Sequence, residues 1–140
     1  MKLTVAALML VGMLAVAALG SAQDVKSQWD GIYTVPQSER GAPLYREHCS
    51  GCHDGGREEA PSLSGAEFAS NWDNQSMGQL SERIRTTMPT DAPGSLSRAQ
   101  VADILAFMLA TDKYPAGSTE LPTSLALLNA IKFIAQKPTP

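Results

Sequence analysis

The chain is 140 residues long, carries 11 Lys and Arg against 14 Asp and Glu, and is 44% hydrophobic but only 6% aromatic. A length of this order points to one domain. A formal net charge of −3 without a Lys/Arg cluster excludes a protein that holds nucleic acid or an anionic membrane by charge. Three Phe, three Tyr and two Trp supply a modest core, and small domains of this kind usually gain stability from a disulfide, a metal or a large ligand.

Residues 1–22 read as a secretion signal. Lys2 gives a positive start, residues 3–19 are almost wholly apolar, and Gly20-Ser21-Ala22 offers the small-residue site at which a signal peptidase cuts. Cleavage near Ala22 would leave Gln23 first and place the mature chain in the periplasm or otherwise outside the cytoplasm. The alternative is a signal anchor that stays, although the apolar run is short against the ~20 residues that span a bilayer. No cysteine stands near the cut to carry a lipid, and no later segment is apolar enough to span a membrane.

Residues 23–37 form a lead-in with Trp29 as its aromatic anchor. The first helix follows, capped by Thr34 or Ser38. Pro43 predicts a kink within it, or regular helix only beyond that point. The stretch "DGGREEAPSLSGAEFASNWDNQ" reads as a long loop with a turn of helix around residues 65–70. Ser76 and Gln79 then form a capping box, and Met77, Leu80 and Ile84 share one face of a helix that ends before Pro89. After a second Pro/Gly loop, Ser97 and Gln100 repeat the box, with Leu96 and Val101 as its staple. Val101, Ile104, Leu105, Met108 and Leu109 mark an amphipathic helix to about Thr111. Turn formers follow, and residues 123–135 read as a last helix, apolar on several sides and lying against the body. There is no internal repeat and no convincing strand pair. The fold class is all-α.

All the thiol and imidazole chemistry of the chain sits in "HCSGCH", residues 48–53. A zinc site takes four ligands, generally in two separated pairs, and here they are crowded into six positions. A thioredoxin-like C-x-x-C needs a βαβ surround that this chain lacks. C-x-x-C-H is the attachment signal of haem c. Cys49 and Cys52, three apart on a helical turn, each form a thioether to the same haem, and His53 turns its imidazole to the iron. His48 reads as a solvated histidine. For the other face of the iron, Met77 and Met108 fall on apolar helix stripes and belong to the core. Met88, in a loop braced by Pro89, suits the metal. Iron held by His53 and Met88 is closed on both faces, which favours one-electron transfer over ligand binding.

Gly41-x-x-Leu44-Tyr45, the C-x-x-C-H of residues 49–53, Pro61, Met88-Pro89 and the helix "VADILAFMLA" resemble a class I bacterial cytochrome c. The likeness covers about residues 38–114 and leaves 115–140 as a C-terminal extension with a short helix. It implies a cytochrome c-like fold of short helices and long loops around one covalent haem. It further implies that the first and last core helices cross closely at Gly41 and Phe107, that the Pro61 carbonyl accepts from Nδ1–H of His53, and that Trp72 reaches a haem propionate. Two features depart from the pattern: Pro43 within the first helix, and the tail. The lead-in and tail are similar to exported cytochromes associated with periplasmic quinoprotein dehydrogenases. The function so implied is electron carriage, with no enzyme activity of its own, from a periplasmic dehydrogenase to an oxidase or another cytochrome. Two alternatives stay open: a haem subunit fixed to a dehydrogenase, with the tail as its docking element, and a ligand-binding or peroxidase-type haem protein.

Overall fold

The structure, a computed structural model, describes residues 26–55 and 60–139. The signal segment and the first residues of the lead-in lie outside them. Among the described residues six α-helices follow one 3-10 turn at Gln28–Asp30: α1 Val35–His48, α2 Ser50–His53, α3 Gly65–Trp72, α4 Met77–Thr87, α5 Arg98–Thr111 and α6 Leu125–Asn129. Among the described residues the only strand-like pairings are two isolated bridges, Ser27 with Lys132 and Ser76 with Lys132. The fold of the described residues is all-α, as expected.

Local signals place most of these elements. Thr34 caps α1 by accepting from the Gln37 N–H. Ser76 with Gln79 and Ser97 with Gln100 form complete capping boxes at the starts of α4 and α5, each satisfying two otherwise orphaned amides. Pro43, however, does not interrupt α1, which runs through it without a break. A proline removes one amide donor and leaves the carbonyl four residues earlier without its partner. Both Pro43 and Glu39 are exposed, so water can serve that carbonyl.

Helix α5 departs from the amphipathic expectation. Val101, Ala102, Ile104, Leu105, Ala106, Met108 and Leu109 are all buried, because the helix forms the middle of the core and is covered from several directions. α1 crosses it at Gly41, where a Cβ would overlap the Asp103 carbonyl of α5 and press on the Phe107 Cβ. Tyr45 packs its ring on Phe107 at 5.1 Å between centroids. Outside the crossing, Arg40 forks onto Asp103 at 3.0 and 3.2 Å and reaches Glu120 at 2.9 Å. These ion pairs are largely exposed and fix geometry more than stability.

The tail differs most from expectation. Only Leu125–Asn129 is helical; Ala130 and Ile131 close a turn onto Leu127 and Leu128, and beyond them the backbone leaves the helix because it bonds to distant parts of the chain. Phe133 donates to Gln75 O and accepts from Asn74 N, Ile131 accepts from Met77 N, and Lys132 donates to Lys26 O. Leu121, Leu128, Ile131 and Phe133 are buried in the main core, and α6 approaches α4 so closely that a Cβ on Gly78 would overlap Asn129.

Two buried glutamines, unmarked in any sequence pattern, tie the lead-in and α1 to this tail. The Gln28 carboxamide donates to Ile134 O at 2.6 Å and accepts from Ile134 N at 2.9 Å. Gln37 does the same for Leu121, at 3.0 and 2.7 Å. Each side chain thus satisfies both backbone groups of one tail residue, as a neighbouring strand would. Trp29 adds Nε1–H to Ile134 O and stacks edge-on against Tyr114. The tail therefore folds onto this body and closes a clasp with the lead-in.

Candidate haem cleft

Helix α1 ends at His48, and the chain turns directly into α2, whose four residues hold Cys52 and His53. The turn is helical because the Cys52 and His53 amides both bond back to Cys49 O, at 3.1 and 3.0 Å. This spacing puts the two cysteines on one side of the turn. Cys49 is buried and Cys52 half-buried, and both are free thiols.

A cleft of about 510 Å³ opens beside them, lined by Cys49, Cys52, His53, Pro61 and Met88 together with Phe68, Trp72, Leu80, Ile84, Ile104 and Met108. The volume lies within the ~300–1,000 Å³ of sites that take organic cofactors. Leu80 and Ile84 arrive on α4, Ile104 and Met108 on α5, and Phe68 and Trp72 on α3, where Phe68 braces the Trp72 ring at 6.3 Å. Met88 follows the end of α4 in extended conformation, its amide still bonded to Ile84 O, so that helix fixes where the thioether enters the cleft. Met77 is fully buried and is not among the cleft-lining residues; Met108 is buried and forms part of the wall.

His53 Nδ1 lies 2.7 Å from Pro61 O. A carbonyl only accepts, so Nδ1 carries a proton and Nε2 is the nitrogen left to face a ligand. Burial, with Asp54 and Cys52 adding to it, pushes the Cys49 thiol up to about 11. Such a thiol stays protonated at neutral pH. Among the described residues no three of His, Cys, Asp and Glu group so as to hold an ion. Two thiols on one turn, a bare imidazole nitrogen, a methionine sulfur and apolar walls together fit a covalently held haem, and the residues present suit no other common cofactor as well. His48 also lines the cleft, with its side chain one quarter exposed and Nε2 4.0 Å from the Glu47 carboxylate. It is part of the wall and not the freely solvated histidine expected.

An all-α fold with closely crossed first and last core helices, carrying C-x-x-C-H at the edge of an apolar cleft, defines a c-type cytochrome. Residues 36–108, just over half of the chain, match the family described as cytochrome c oxidase, cbb3-type, subunit III, and the protein belongs to that family. No curated protein and no solved structure gave a match. The protein is a haem c electron-transfer protein. Among the described residues no helix is long and apolar enough to cross a membrane.

Proposed function

We propose that the protein is an exported monohaem cytochrome c that carries single electrons from a periplasmic dehydrogenase to a downstream respiratory acceptor. The observation that carries this reading is the convergence of Cys49, Cys52, His53 and Met88 on one apolar cleft. Cys49 and Cys52 would hold the group through two thioethers, and His53 Nε2 and the Met88 sulfur would ligate its iron. When bound, the haem supplies a one-electron Fe(III)/Fe(II) couple.

The chain's own residues do the rest. Pro61 O holds the His53 ring and its tautomer, as outer hydrogen-bond partners do for ligating imidazoles. Leu80, Ile84, Phe68 and Ile104 keep water from the cleft and lower its dielectric. A neutral thioether ligand together with an imidazole would favour a higher potential than harder ligands would. Trp72 is placed on the cleft wall, where its indole N–H would donate to a propionate. Net negative charge favours a partner with a basic docking patch and transient, salt-sensitive association.

The family's description as an oxidase subunit favours a second reading, in which the domain is fixed within a larger oxidoreductase. Burial of Leu121, Leu128 and Phe133 in this chain's own core supports the free carrier, since the tail is no longer available as a separate docking element. Visible spectra of the purified holoprotein test the site: the reduced form should be low-spin c-type and unchanged by carbon monoxide, while Met88→Ala should bind it promptly. Prompt binding by the native protein would refute Met88 ligation and favour the ligand-binding alternative. Gel filtration should show the holoprotein running alone in the presence of a quinoprotein dehydrogenase, and stable co-elution would refute the free carrier.

A further inference from the structure

A four-residue helix has no stability of its own, because nucleation costs more than one turn of hydrogen bonds returns. Yet α2 must present two cysteines and a histidine in fixed relation. One residue brackets it from both ends. The Tyr45 carbonyl accepts from the Cys49 amide at 2.8 Å, and the Tyr45 hydroxyl passes over the turn to donate to Asp54 Oδ1 at 2.8 Å. Asp54 is the C-cap of α2, directly after His53, and its own amide bonds to Ser50 O. The Tyr45 ring is seated on Phe107 of α5, so the restraint is referred to the helix crossing at Gly41. Burial, aided by the bond to Asp54, raises the Tyr45 hydroxyl above the ordinary tyrosine value; it remains a donor throughout the physiological range.

We propose that the Tyr45–Asp54 hydrogen bond is a latch that positions His53, holding the backbone of the attachment turn while Pro61 holds the ring. Tyr45 and Asp54 are positioning residues that touch neither iron ligand through their side-chain hydrogen bond. The inference rests on the haem reading above. A carboxylate acceptor makes this bond stronger than a neutral pair, and His53 is the first residue its loss would free. With the latch open, the imidazole keeps its bond to Pro61 but gains freedom to swing with its backbone.

The test uses the holoprotein and the variants Tyr45→Phe, Asp54→Ala and Asp54→Asn. Tyr45→Phe keeps the ring on Phe107 and the carbonyl bond to Cys49 and loses only the hydroxyl. Loss of a hydrogen bond to a charged group should speed amide exchange at His53 and Asp54 about tenfold. The low-spin electron paramagnetic resonance signal of the oxidised form, which reports the orientation of the axial imidazole, should shift in both Tyr45→Phe and Asp54→Ala. Asp54→Asn, whose amide oxygen still accepts, should keep the wild-type signal, and the double variant Tyr45→Phe/Asp54→Ala should move no further than either single one. An unchanged signal in Tyr45→Phe and Asp54→Ala overturns the proposal even if stability falls, since the bond is then merely structural. An equal shift in Asp54→Asn and Asp54→Ala overturns it in favour of the carboxylate charge. A wild-type protein without a low-spin c-type signal overturns the haem reading and this proposal with it, before any variant is compared.

Discussion

Replacing Gln37 by Leu removes one side chain and orphans two backbone groups. Gln37 and Leu121 are both buried, at 2% and 1% exposure, and the carboxamide is the hydrogen-bond partner of both the Leu121 N–H and the Leu121 C=O. Each buried polar group left without a partner costs about 1–3 kcal/mol. The two together would cost about 2–6 kcal/mol, offset in part by burying a leucine in place of an amide. A loss near 3 kcal/mol is the expected result. For a domain of this size that lowers the midpoint of thermal unfolding by roughly 10 °C or more, read by far-UV circular dichroism on the holoprotein. Gln136→Leu, at an exposed position, serves as the comparison and should stay within about 0.5 kcal/mol of wild type. A loss below about 1 kcal/mol for Gln37→Leu would refute the reasoning, because it would mean that Leu121 finds water or another partner. Gln28→Leu should behave alike, and the double variant should lose less than the sum of the two, since both grip one tail that detaches as a unit.

Gly41→Ala should destabilise the fold by about 2 kcal/mol, because overpacking at a backbone contact costs about 1–3 kcal/mol and exceeds the ~1 kcal/mol that alanine gains in a helix; denaturant titration reads the loss, and an unchanged midpoint would show that α1 and α5 part freely. Phe133→Ala, truncating a ring that is 1% exposed and stacks on Phe68 and Tyr114, should cost about 3–5 kcal/mol by the same titration. Asp112 is one pH-sensitive group: burial raises its carboxyl against the opposing effect of the Gly65 N–H bond. Its folded-state value thus lies above its unfolded value, so protonation favours the fold, and that contribution is lost as pH rises through the folded value. Wild type should accordingly gain on Asp112→Asn as pH falls from neutral toward ~4, and thermal midpoints that run parallel for the two proteins would contradict the shift.

What could be read from the sequence follows from how far each determinant reaches along it. The starts of α4 and α5 were legible because Ser76 and Gln79, or Ser97 and Gln100, lie three apart and settle the matter between themselves. That Cys49, Cys52, His53 and Met88 belong together was legible in part the same way, the first three within one turn and Met88 beside the proline that marks its loop, and all four line the cleft; Phe68, Leu80, Ile84 and Ile104 reach it only through the fold. Regular helix only beyond Pro43 was the wrong alternative, because the rule concerns one lost donor, and only the fold reveals that Glu39 and Pro43 lie on an exposed face. Residues 130–135 misled more deeply. Their composition suits a helix, but their backbone partners are Lys26, Asn74, Gln75 and Met77, and no local window contains them. Gln28 and Gln37 gave no signal at all, since a glutamine in a polar lead-in reads as surface until its tail partner is seen. Asp54 likewise reads as a loop residue until the Tyr45 hydroxyl is found upon it.

The clasp has a consequence for the order of events as the chain is made. Gln28 meets its partner 106 residues later and Gln37 meets its own 84 residues later. A polypeptide that emerges amino end first cannot close this clasp on its lead-in until Ile134 has arrived. Contacts of such long separation are also the slowest to form. Until then the backbone groups that Gln28 and Gln37 will satisfy stay open to water, and it is Leu121 and Ile134 that shut the door.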